Sequence, residues 1–252
     1  MKKTLDDYKD VIKKLPLKDK YTKDELLVKD LIIEKNNNTE IYYAPHNEHI
    51  NLDAKIFIIG ITPGFSQMST AISEACKGLE NGKNIKEIQY DCKKAGRFSG
   101  VIRKNIINML NELQLNKILN INDCSELFDE KDYLLHTVSL IPYPVFVKGS
   151  NYSGHTPKLM NTEFLMKYVY ENFVDELKML KNSNDIILIP LGKAVEEALL
   201  KLADNGLLNE KNILKGFPHP SGANVNRVKQ FNNNKDYMIK FLEDKSDFLL
   251  KR

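Results

Sequence analysis

The sequence predicts an α/β fold: a mostly parallel sheet with helices on both faces. Two observations predict it. Apolar runs of strand length, at 55–59 and 185–190, are continuous rather than alternating, as in strands covered on both sides. Helical periodicity fills the intervals between such runs, and that alternation builds parallel sheets.

The elements follow in order. Residues 1–35 read as one or two charged amphipathic helices, with Leu26, Leu27, Leu31 and Ile32 on one face. Asn36-Asn37-Asn38 marks a loop, and Ile41-Tyr42-Tyr43 a short extended piece before Pro45. The first strong strand, 55–59, runs into Gly60-Ile61-Thr62-Pro63-Gly64, and helical pattern follows at 66–80. Ile102, Ile106, Ile107, Leu110 and Leu113 give a helix at 101–115. A second strand at 134–141 stops at Pro142 and Pro144. Helix 162–181, strand 185–190 and helix 193–204 come next. A short fourth strand, 212–217, precedes Pro218-His219-Pro220-Ser221-Gly222, and a last helix spans about 224–243.

Composition narrows the function classes. The 252 residues hold 37 Lys+Arg against 34 Asp+Glu, a net charge of +3, which excludes a polycation or an acidic tail. Only four of the basic residues are arginines: Arg97, Arg103, Arg227 and Arg252. No apolar run is long enough to span a bilayer and no secretory signal is recognisable, so a cytoplasmic, membrane-free protein is expected. Three cysteines, none in a C-x-x-C pair, make neither a complete disulfide framework nor a four-cysteine cluster site. His46 and His49 lack further ligands nearby, so no metal and no cofactor is expected. The expected organisation is a single domain over 1–252, with residues 1–50 an N-terminal helical extension packed on it, and a monomer.

In parallel sheets ligands bind beyond the carboxyl ends of the strands. The loops 60–67, 136–146 and 217–227 occupy that position. Glycines in the first permit a tight turn. In the last, two prolines bracket His219 and stiffen the loop that carries it, and Ser221 can cap the following helix. Residues 211–235 carry five Lys/Arg and no acid, and a second basic cluster, Lys93-Lys94-Ala95-Gly96-Arg97, is followed by Arg103-Lys104. Basic clusters beside such loops suit phosphate contact.

The order of these motifs resembles the uracil-DNA glycosylase superfamily. Gly60-Ile61-Thr62-Pro63-Gly64 is similar to its first motif, and Gly96-Arg97-Phe98-Ser99 to the segment that supplies a stacking ring. Leu134-Leu135-His136-Thr137-Val138-Ser139-Leu140 is similar to the base-recognition strand, Leu191-Gly192-Lys193-Ala194 to the third-strand exit, and His219-Pro220-Ser221-Gly222-Ala223-Asn224 to the second motif. The match spans about residues 55–230. It implies a three-layer α/β/α domain around a central four-stranded, mostly parallel sheet.

The resemblance further implies base excision repair chemistry: DNA binding, nucleotide flipping and metal-free hydrolysis of an N-glycosidic bond. His219 would stabilise the departing base and Thr62 would orient the water. Ile61, Phe98, His136 and Gln67 would bind the base. Pro63, Gly64, Arg97, Pro220, Ser221, Gly222, Ala223, Asn224, Arg227 and Lys229 would contact DNA. Three positions depart from the family pattern. Thr62 stands where Asp or Asn is usual, His136 where an Asn reads uracil, and Ala223 where a Leu wedge enters the stack, with Val225 a substitute. The competing expectation is a non-catalytic module that binds DNA or an altered base on the same fold.

Overall fold

The computed structural model describes residues 2–180 and 186–250. Its strands are β1 (Ile32–Asn36), β2 (Thr39–Tyr42), β3 (Ile56–Gly60), β4 (Leu135–Ser139), β5 (Val145–Val147), β6 (Ser150–Asn151) and β7 (Ile187–Pro190). Its helices are α1 (Leu5–Ile12), α2 (Lys23–Leu26), α3 (Phe65–Glu80), α4 (Ile85–Gly96), α5 (Gly100–Glu112), α6 (Leu115–Ile118), α7 (Glu163–Tyr168), α8 (Asp175–Lys178), α9 (Lys193–Asp204), α10 (Arg227–Glu243) and α11 (Ser246–Leu250). The fold is α/β. Among the described residues no helix is long and apolar enough to cross a membrane.

The chain divides into two compact units where the sequence suggests a single domain with an extension. The first comprises Met1–Ile50, Ile61–Arg97 and Val138–Glu176. The second comprises Asn51–Gly60, Phe98–Thr137 and Leu177–Arg252.

The second unit holds the strands predicted at 55–59 and 185–190. β3 and β7 pair in parallel, Ile56 opposite Ile187 and Ile59 opposite Pro190. β3 is the middle strand of the order β4-β3-β7. The continuous apolar runs have their expected cause: Ile56, Ile58, Ile187 and Ile189 are fully buried beside Ile106 and Leu110 of α5 and Met238 and Leu242 of α10, and Phe57, Ile59 and Leu188, which alternate to the other face, are buried as well. Each such side chain contributes roughly 1.5–3 kcal/mol. The helix predicted at 193–204 is α9, which buries Val195, Ala198, Leu199 and Leu202 along one face.

The expected strand at 212–217 is reduced to a single bridge. Ile213 pairs with Leu188, and the Leu214 N–H donates to the Leu188 carbonyl at 2.9 Å. The left-handed backbone of Gly216 (φ +81°) and the proline at 218 turn the chain away before a second rung forms. The sheet of this unit is therefore three-stranded with a one-residue continuation.

The first unit differs from expectation more. Residues 1–50 are not purely helical. Ile32, counted on a helical face, begins β1, which pairs antiparallel with β2 through the two-residue turn Asn37-Asn38. β2 continues to β5, and β5 to β6, giving a four-stranded sheet. Helix α4 covers residues between the helices predicted at 66–80 and 101–115. Its approach to α3 requires Gly78, where a Cβ would lie 2.6 Å from Ile88 Cγ1. The helix expected at 162–181 changes winding, with a π-helical stretch at Val169–Val174 between α7 and α8. Lys181 and Asp185, at the edges of expected elements, lie outside the described residues.

Candidate functional site

The His219 loop is built entirely within the second unit. β7 ends at Pro190, and Gly192 (φ +89°) turns the chain into α9. The Gly192 N–H donates to the Phe217 carbonyl at 3.1 Å, and a Cβ on Gly192 would come within 2.9 Å of His219 Cβ. Only glycine accommodates both the backbone and the approach. Phe217, Pro218 and Pro220 are buried while His219 is exposed, so the loop is anchored on either side of the ring. Asn105 of α5 donates to the Pro220 carbonyl at 2.7 Å, and Asn224 to the His219 carbonyl at 3.1 Å.

The ring itself is oriented by the backbone. The Ser221 N–H donates to His219 Nδ1 at 3.2 Å. A nitrogen that accepts carries no proton, so the neutral imidazole holds its hydrogen on Nε2. The loop therefore fixes a tautomer that presents an N–H donor. Its rim is arranged by the other predicted residues. Ser221 Oγ accepts from the Ala223 N–H, and the Ser221 carbonyl accepts from Arg227 Nη1 at 2.9 Å. Arg227 thus braces the loop with one of its five donors. Gly222, Ala223 and Lys229 are exposed, and so is Val225, at 90%. Val101 of α5, 61% exposed, lies 3.6 Å from where a Gly222 Cβ would be.

Of two other predicted residues of this unit, only His136 takes a closed structural position. His136 is 1% exposed. It sits at the start of β4, where its Nδ1 accepts from the Asn51 N–H at 3.3 Å and its ring tilts against Phe57. Base reading belongs at the opposite, carboxyl end of such a strand. Motif order carries no strand boundaries, and those boundaries place His136 before the exit, which Ser139 occupies. Phe98 is half-buried against the apolar core of its unit, with a left-handed φ of +24°. Arg103 Nε donates to its carbonyl while the guanidinium covers the Phe128 ring.

The first unit contains the Thr62 turn and turns its polar groups inward. Thr62 Oγ1 donates to the Tyr143 carbonyl at 2.6 Å and accepts from the Val145 N–H at 3.1 Å. The hydroxyl proton is therefore committed, and one lone pair remains. The Ile61 carbonyl accepts from the Ile141 N–H at 3.0 Å. Pro63 is buried. Gln67 is also committed, accepting from the Gly64 N–H at 3.2 Å and donating to the Gly96 carbonyl at 3.0 Å. These bonds commit the Thr62 proton and both ends of the Gln67 amide to backbone, and leave Thr62 one lone pair toward which a water can donate. Asn151, which lies in no sequence motif, accepts from the Phe65 N–H at 3.0 Å at the start of α3.

Arg97, expected on a DNA-facing surface, is 5% exposed. It ends α4 beside Lys93, also buried, and the same unit buries His46, Asn47 and Glu176. Lys93 Nζ donates to Asn47 Oδ1 at 3.3 Å. Burial pushes the Lys93 ammonium down to about 7, against the pull of the Glu176 carboxylate. Burial, with Lys93 adding repulsion, pushes His46 down to about 3, so it is neutral at pH 7. A Cβ on Gly96 would lie 3.1 Å from His46 Cβ, which explains how tightly this charged interior is closed. Helical spacing explains the burial: Lys93 and Arg97 are four apart and share the face that carries Cys92 and Gly96 inward.

No family model matches the chain, and no solved structure matches it. It is 42% identical over 217 residues to the uncharacterized protein YoxB of Bacillus subtilis (strain 168), a match covering 86% of this chain and 84% of that protein. The chain belongs to the YoxB family. In this member of the YoxB family the group best prepared for chemistry is His219: exposed, braced through its own carbonyl and that of Pro220, and held in one tautomer. A donor so fixed can stabilise negative charge developing on an oxygen without a proton changing hands.

Proposed function

We propose that the chain is a monofunctional DNA glycosylase that flips an altered base, uracil or a relative, and hydrolyses its N-glycosidic bond. The reading rests on the His219 loop and on the ordered motifs it closes. Cleavage sends the bonding electron pair onto the base, which leaves as an anion, and water supplies the new C1′–O bond and two protons. His219 Nε2–H donates to the base oxygen on which that charge accumulates. A single preorganised donor of this kind contributes about 10²–10³ in rate. Phe98 stacks on the flipped base, and Val225 enters the gap that flipping leaves. Arg227, Lys229 and the Gly222 N–H hold the DNA backbone. On this reading the Ile213 bridge continues the sheet as a fourth parallel strand, completing a three-layer α/β/α core.

The second reading is a binding module that recognises an altered base without cutting. The Thr62 hydroxyl favours it, because its proton is committed to the Tyr143 carbonyl and no carboxylate stands at that position. A panel of oligonucleotides carrying uracil, hypoxanthine, xanthine and modified pyrimidines, cleaved with alkali at abasic sites, separates the two. Product from at least one substrate, lost in His219→Ala with DNA binding retained, supports the glycosylase. Tight binding with no abasic product on any substrate supports the module and sinks the first reading.

A further inference from the structure

The first unit carries a second exposed feature beside the Pro63-Gly64 turn. Strands β5 and β6 are joined by Lys148-Gly149, both in left-handed conformation (φ +51° and +74°). Such two-residue connections favour asparagine or glycine, and the hairpin β1–β2 of the same unit uses Asn37 (φ +52°) at the equivalent place. A lysine there is strained backbone with a charged side chain carried to the tip. The tip lies inside residues 133–162, thirty consecutive positions without Asp or Glu. Its exposed groups include Lys148, Asn151, His155 and Lys158. Lys23, also exposed, reaches the same turn, its Nζ donating to the Gly149 carbonyl at 2.7 Å.

Asn151 ties this hairpin to the turn that the family resemblance marks. Its Oδ1 accepts from the Phe65 N–H, and its Nδ2 lies 3.7 Å from where a Gly64 Cβ would be. With the oxygen committed, the exposed amide presents donors. A tip that carries donors and cations on an acid-free segment, with Glu40 of the adjoining β2 already paired to Lys35, fits a polyanion with regularly spaced oxygens. We propose that the β5–β6 hairpin is a DNA-contacting surface, on which Lys148 pairs with a backbone phosphate and the Asn151 amide donates to a neighbouring phosphate oxygen. This extends the DNA contacts of the glycosylase reading, on which it rests, beyond the residues assigned there.

The test is fluorescence anisotropy of a uracil-containing duplex over a salt series, with thermal melts of each variant. Lys148→Asn should melt at the same temperature or higher, because the turn suits asparagine. It should bind several-fold more weakly, and its log–log salt slope should be shallower by about 0.9. Asn151→Asp keeps the acceptor for Phe65 and loses the amide donors, and Ser150→Asp adds the same charge one residue away as a control. Asn151→Asp should weaken binding more than Ser150→Asp. Wild-type affinity and slope in Lys148→Asn, or equal losses in the two aspartate variants, would overturn the hairpin assignment while DNA binding by the parent protein stands. A parent protein with no salt-dependent binding would overturn this surface and the glycosylase reading together.

Discussion

The Thr62 turn and the His219 loop use polar side chains in opposite ways. In the turn, the side chains are the glue: Thr62 joins the backbone at Tyr143 and Val145, and Gln67 joins Gly64 to Gly96. In the loop, the glue comes from elsewhere. Asn105, Asn224 and the backbone of Gly192 and Ser221 hold a histidine that faces outward. A motif residue is available for chemistry when other groups satisfy the local backbone, and unavailable when it must do so itself. The difference also separates stability effects from activity effects.

The largest expected effect is on the loop. His219→Ala should lower excision by about 10²–10³-fold while the melting temperature stays within a degree or two. Parent-like excision would break the contrast from the loop's side. Thr62→Val should do the reverse. Losing the hydroxyl leaves the Val145 N–H and the Tyr143 carbonyl unsatisfied and costs about 1–3 kcal/mol in urea unfolding, with excision per folded molecule changed by no more than a few-fold. A stable Thr62→Val protein without activity would return Thr62 to the chemistry.

Gly192→Ala sharpens the comparison, since it strains the support and not the ring. A Cβ 2.9 Å from His219 Cβ, on a backbone at φ +89° and ψ 170°, should cost about 1–3 kcal/mol and lower excision without abolishing it. The smallest effect concerns the charged interior of the first unit. His46 titrates near 6.5 when unfolded and near 3 when folded, so the unfolded chain binds the extra proton as pH falls through 6.5. Stability contributed by the neutral ring is complete above that value and declines below it, by about 1 kcal/mol between pH 7 and 5.5. Lys93 acts with the same sign at higher pH, stability rising between about 7 and 10.5. Between pH 7 and 5.5 the change in unfolding free energy of the parent and of His46→Gln should differ by that increment, and identical pH slopes would show that His46 is not held neutral.

Much of the second unit was legible in the sequence. Continuous apolar runs gave β3 and β7, and helical spacing gave α5 and α9, because burial on a regular element leaves a local period. The first unit was less legible. Leu31 and Ile32 fit a helical face, yet Ile32 belongs to a hairpin whose partner strands lie in residues 39–42 and 145–147. A pairing that distant leaves no local period.

The same boundary runs through the candidate site. Residue order alone placed His219 between two prolines at a strand exit, and proline stiffness is a property of the chain itself. Which ring nitrogen carries the proton was decided by where the Ser221 N–H came to lie. Whether Arg97 and Lys93 met solvent was decided by a helix packing that closes on His46. Whether Thr62 kept a free proton was decided by the backbone at 143–145, some eighty residues further along the chain. Chain stiffness and periodicity act over a few bonds and are written in neighbouring residues. The direction and satisfaction of a polar group depend on whatever backbone folds beside it, and only the tertiary structure supplies that neighbour.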